Sequence, residues 1–146
     1  MKKHILCLGD SNTHGYCADP NDCADHGIRF NEDERWTCRL QKALGEEYLV
    51  TEEGLSGRTT VFVDPLHESM DALSVAYALL KSHEVIDLLI IMLGTNDTGM
   101  SVDEFIKNYT ALVQAIQESY PYTDIIVNTV PPVPANHANY PHMDQT

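Results

Sequence analysis

Three short turns hold the residues that could do chemistry. Gly9-Asp10-Ser11 follows the apolar run Ile5-Leu6-Cys7-Leu8 directly, so a serine hydroxyl stands at the C-terminal tip of a buried strand. In open α/β sheets that tip is where ligands bind. The small and polar residues Asn12, Thr13, His14 and Gly15 continue the turn. Gly54-Leu55-Ser56-Gly57 and Gly94-Thr95-Asn96-Asp97 also follow apolar strands. One such turn is a weak signal; three converging on one sheet edge make a site, with the Ser11 hydroxyl as its candidate nucleophile.

The elements that must position these turns alternate. His4 to Leu8 is the first strand, and Tyr48 to Glu52 the second. Val85 to Leu93 contains the near-continuous apolar run of a strand covered on both faces. Asp124 to Val130 is the fourth. Between them, Asn31 with Glu34 has the form of a capping box opening a helix that Gly45 stops. Met70, Leu73, Tyr77 and Leu80 mark a second helix. Ser101 and Glu104 form another capping box, ahead of apolar residues at spacings of three and four from Val102 to Ile116. Strands alternating with helices predict a parallel sheet between helical layers. A polar loop runs from Tyr16 to about Phe30, and the prolines from Pro131 to Pro141 preclude regular structure.

A chain of 146 residues is one domain. Its formal charge is −13, from 9 basic and 22 acidic side chains, which repels phosphate backbones and anionic lipid. Nucleic-acid and membrane roles are therefore not expected. No pair among the four cysteines has Cys-x-x-Cys spacing, and Cys7 is expected in the core. The basic start Met1-Lys2-Lys3 precedes an apolar run too short for a signal peptide, so a reduced, cytoplasmic protein is expected.

The three turns resemble the blocks of the SGNH, or GDSL-type, esterase family. The blocks are Gly9 to Gly15, Glu52 to Thr60, and Met92 to Asp97, with Arg35-Trp36 between the first two. They look most like its arylesterase and acyltransferase branch. The resemblance implies a flavodoxin-like three-layer αβα sandwich, with strand order 2-1-3-4-5. It implies a serine ester hydrolase acting on small acyl esters through an acyl-enzyme, without cofactor or metal. Ser11 would be the nucleophile, and the oxyanion hole would be the N–H groups of Ser11 and Gly57 with the side-chain amide of Asn96. Each such donor is worth on the order of 3 kcal/mol in the transition state.

The family carries its base in an Asp-x-x-His block after a fifth strand. This sequence stops short of that block, so a four-stranded, C-terminally incomplete domain of impaired activity is expected. Asp64-Pro65-Leu66-His67 lies in the wrong place to substitute. His14 shares a helical face with Ser11 and is expected, with Asp10, at the substrate; Asp10 also suits a turn that bonds nearby backbone N–H groups. Asp97 is expected to do the same for its own turn, and Arg58 to pair with one of these carboxylates. His4 and His83 are expected in solvent, and His26 and His67 in polar loops. His137 and His142 belong to the tail. Without a fifth strand the fourth would be a naked edge, and self-association through it is expected. Two other functions fit less of the pattern: a non-catalytic module that keeps the pocket, and a flavodoxin-like anion or flavin binder built on the first turn alone.

Overall fold

Apolar side chains at four successive positions leave the first strand no face for solvent, so it must lie inside the sheet. The structure, a computed structural model, describes residues 1–62, 70–97 and 99–130. Strand β1 (Lys3–Gly9) pairs in parallel with β2 (Tyr48–Gly54) on one side and β3 (Leu88–Met92) on the other. β3 pairs in parallel with β4 (Asp124–Val127), and the sheet order is β2-β1-β3-β4. This is the α/β architecture expected, consistent with a flavodoxin-like three-layer sandwich. Among the described residues the sheet has four strands.

The period-two alternation of a strand divides the core. Leu6 and Leu8 of β1 join Leu89 and Ile91 of β3 beneath α3 (Ala72–Lys81) and α4 (Val102–Ser119). Ile5, Cys7 and Ile90 face the other way, toward Trp36, Leu40 and Leu44 of α2 (Trp36–Leu44). Burying each of these large aliphatic side chains is worth about 2 kcal/mol. Cys7 is fully buried as expected, and burial pushes its thiol up to about 12, with the Glu52 charge adding to the rise. All four cysteines are free.

Several boundaries differ from the sequence expectation. α2 begins at Trp36, not at Asn31. The Asn31 side chain accepts from the Asp33 N–H at 2.9 Å, which closes a local turn in place of a helical one. Only the reverse half of the box forms, with the Asn31 N–H donating to the Glu34 carboxylate at 3.1 Å. In α3 the buried face is Ala72, Ala76 and Leu80, whereas Tyr77 is 66% exposed. β4 stops at Val127, although the Asn128 N–H still donates to Ile91 O at 2.8 Å. α4 has the expected capping box, with Glu104 N–H donating to Ser101 Oγ at 3.2 Å and Ser101 N–H to the Glu104 carboxylate at 3.4 Å, but Val102 and Ile106 of its apolar stripe are exposed. Asp64, His67, His137, His142 and the proline-rich tail lie outside the described residues.

Candidate active site

Register decides where the turns leave the sheet. Gly9 of β1 pairs with Gly54 of β2 and with Met92 of β3, so three strands end at one level. At the end of β1, Asp10 caps the short helix α1 (Ser11–His14), its carboxylate accepting the Asn12 N–H at 2.9 Å and Asn12 Nδ2–H at 3.2 Å. Ser11, the first residue of α1, is half-buried.

Gly54 lets α1 lie directly on the tip of β2. A Cβ there would sit 2.2 Å from the His14 nitrogen. The turn that follows closes with the Arg58 N–H donating to Leu55 O at 3.0 Å, and Gly57 takes φ +87° at its third position, where glycine is favoured. Gly57 is exposed.

Hydrogen bonds then tie the three turns together. Gly9 O accepts the Leu55 N–H and Arg58 Nη1–H, each at 3.2 Å. Asn12 Nδ2–H donates to Thr95 Oγ1 at 3.2 Å. Asn96 Nδ2–H donates to Arg58 O at 3.0 Å. An amide nitrogen has two hydrogens, so this bond orients the second one. The turns that carry Ser11, Gly57 and Asn96 are thus joined at one rim. Beyond Asn96 a cavity of about 590 Å³ opens, lined by Phe62, Met100, Glu104, Lys107 and Asn108.

Individual side chains depart from expectation. Asp10, expected at the substrate, is 1% exposed and spends its carboxylate on Asn12. Burial pushes its carboxyl up, and the Asn12 bonds pull it back in part. Among the described residues Arg58 pairs with no carboxylate; Nη1 donates to the carbonyls of Gly9 and Glu53, at 3.2 and 2.7 Å. Those carbonyls stand where the β1 and β2 ladder ends and need a donor. Asp97 does not serve its own turn but reaches Thr60 on the facing one. His14 is half-buried on α1 beside Ser11. His4 and His83 are not solvated: the His4 ring lies between Val85 O at 3.0 Å and Thr51 Oγ1 at 2.7 Å. His83 Nε2 lies 3.0 Å from the Glu53 carboxylate. His26 is exposed in its loop, as expected.

Thr60 and Glu52 bound the second block but are not among the expected functional residues. Glu52 receives Arg35 at 2.8 and 3.2 Å and the Cys38 thiol at 3.2 Å, which pins the start of α2 to β2. Burial would raise its carboxyl, but these bonds outweigh it and hold Glu52 below the ordinary carboxylate range. A charged residue inside a strand that packs under a helix was the available signal. Among the described residues no group of three His, Cys, Asp or Glu side chains is placed to hold a metal ion.

A parallel sheet with three interlocked turns at the tips of its strands, one of them bearing a serine, defines the class of the protein. The chain belongs to the GDSL-like lipase/acylhydrolase family, which matches it over residues 7–146. Among solved structures, it is similar to the native aryl esterase of M. smegmatis: 34% identity, TM-score 0.76, over 98% of this chain and 71% of that one. It is also similar to Est24, a carbohydrate acetylesterase from Sinorhizobium meliloti, at 34% identity and TM-score 0.76, over 90% of this chain and 65% of that one. The inhibitor-bound aryl esterase matches at TM-score 0.77 and 34% identity, over 90% of this chain and likewise 65% of its own length. The chain therefore spans about two thirds of the length of these enzymes. No curated protein sequence matches it.

Proposed function

We propose that the chain is an ester hydrolase acting on small acyl esters through an acyl-Ser11 intermediate. The observation that carries this is the Asn96 amide, held by the carbonyl of Arg58, the residue after Gly57. The Ser11 Oγ adds to the ester carbonyl carbon, and the carbonyl oxygen becomes an oxyanion. The N–H groups of Ser11 and Gly57 and the second Nδ2–H of Asn96 receive that charge. As the bond to the alcohol oxygen breaks, the hydroxyl proton passes through water to the departing alcohol, and a second water then hydrolyses the acyl-Ser11 ester. A neutral amide suits position 96, where a carboxylate would repel it. The cavity beyond Asn96 takes one arm of the ester, and His14 flanks the serine.

Among the described residues no histidine bonds to Ser11, and His4 and His83 are engaged elsewhere. Turnover by the described residues alone rests on the oxyanion donors and binding, a residual acceleration of about 10³–10⁴ over water. That observation also favours the second reading, a module that holds an ester or its acid without turnover. Hydrolysis of an aryl acetate by the chain and by Ser11→Ala decides between them. The esterase reading expects the variant to hydrolyse the ester measurably more slowly than the chain itself, down to what the oxyanion donors and binding supply without the serine; equal rates exclude Ser11 catalysis.

Two further proposals concern the molecule as a whole. The outer edge of β4, with Ile126 and Val127 each 47% exposed, takes a second copy of the chain. Four free thiols fit a reducing compartment such as the cytoplasm. Among the described residues no helix is long and apolar enough to cross a membrane.

A further inference from the structure

Asn96 and Asp97 are adjacent, and their side chains go to neighbouring points on the facing turn. Asn96 meets the carbonyl of Arg58 at 3.0 Å. Asp97 meets Thr60: its Oδ1 accepts the Thr60 hydroxyl at 2.9 Å and the Thr60 N–H at 3.2 Å, with Oδ2 at 3.3 Å from the same N–H. Thr60 is wholly buried and Asp97 is 4% exposed. Two attachment points on each turn stop the turns from pivoting about one another. The Thr60 end is itself anchored, because Leu73 N–H donates to Thr60 O at 3.0 Å and Ala72 N–H to Thr59 O at 2.9 Å, at the start of α3.

We infer that Asp97 is a positioning residue for the oxyanion donors: through Thr60 it fixes the turn bearing the Gly57 N–H against the turn bearing Asn96. The inference rests on the ester-hydrolase reading for its consequence in rate, though not for its geometry. Asp97 borders the cavity beyond Asn96 but is only 4% exposed, its carboxylate is taken up by Thr60, and a negative charge offers nothing to a developing oxyanion. What it offers is a charge-assisted pair of hydrogen bonds in a site shielded from water, the stronger kind. Burial pushes the Asp97 carboxyl up, and the Thr60 bonds pull it back only in part. A misplacement of about 1 Å at a reacting centre costs on the order of 10² in rate.

The test compares Thr60→Val, Thr60→Ser and Asp97→Asn. Thr60→Val keeps the shape of the side chain and removes the hydroxyl; Thr60→Ser keeps the hydroxyl. On 4-nitrophenyl acetate, Thr60→Val is expected to lower kcat by about 10-fold or more with KM little changed, and Asp97→Asn by about 100-fold, while Thr60→Ser keeps most of the activity. A second readout needs no turnover: the side-chain amide signal of Asn96 in a ¹⁵N–¹H correlation spectrum. It is expected to shift and broaden in Thr60→Val and to stay in place in Thr60→Ser. If Asp97→Asn fails to fold, the threonine pair still decides. A Thr60→Val protein with an unmoved Asn96 signal overturns the inference, as does a lower kcat restored by cooling in step with its melting curve. If wild type and Ser11→Ala hydrolyse equally, the ester-hydrolase reading falls, and the Asn96 signal alone judges whether Asp97 fixes the amide.

Discussion

At the residue scale, the carboxylates of this protein do opposite things to stability. Asp10 and Asp97 are buried, and burial raises both above their ordinary value. From about pH 4 upward the unfolded chain gives up protons that the native state keeps, so these two groups make stability fall as pH rises through that window. Glu52 is the reverse case. Its bonds from Arg35 and Cys38 hold it low, so its contribution is full at neutral pH and is lost as pH falls through its native value. Glu52→Gln is expected to cost about 2 kcal/mol at pH 7. Urea denaturation across a pH series checks this: the gap between wild type and variant should close below pH 4, and a constant gap would refute it. Residues of this kind were only half legible. Ser11, Gly57 and Asn96 stand out because glycines and small polar residues interrupt apolar runs. The Asp97–Thr60 pair does not, because its members lie 37 positions apart and no local pattern links them.

At the element scale, the strands were the most legible part. β1 and β3 are apolar on both faces, and only a central strand of a covered sheet satisfies that. The helix ends were less so. Asn31 has the composition of a cap, yet its side chain closes a turn of its own, and the helix waits until Trp36. In α3 the large residues Leu73 and Tyr77 drew the apolar stripe, while the structure puts the small Ala72 and Ala76 inward. Small side chains let a helix lie close to the sheet, and composition does not announce that choice. The same closeness governs α1 on β2. Gly54→Ala would bring a Cβ within 2.2 Å of the His14 nitrogen, a backbone atom that cannot swing aside. We expect a loss of about 3 kcal/mol and a lower melting temperature. An unchanged melting curve would show that α1 does not rest on β2 in solution.

At the scale of the whole molecule, topology was legible through the order of blocks, because a right-handed parallel sheet leaves few ways to connect alternating strands and helices. How the outer edge of β4 is covered was not legible, since that depends on partners more than on pattern. The edge carries Ile126 and Val127 beside an apolar groove of about 500 Å³ between β4 and α4. If a second copy sits there, Ile126→Lys should convert the dimer to a monomer in sedimentation velocity while leaving the circular dichroism spectrum unchanged. A wild-type monomer at every concentration would end that proposal.

The level ending of β1, β2 and β3 carries a consequence for how this chain can tolerate change. Side chains alternate sides along β1, with Cys7 toward α2 and Leu8 toward α3 and α4. Removing a single residue upstream of Gly9 would invert that parity: core side chains would exchange layers, and the hydroxyl would be delivered to the wrong side of the rim. The protein thus locates its chemistry by counting, and β1 is a ruler whose length matters as much as its polarity.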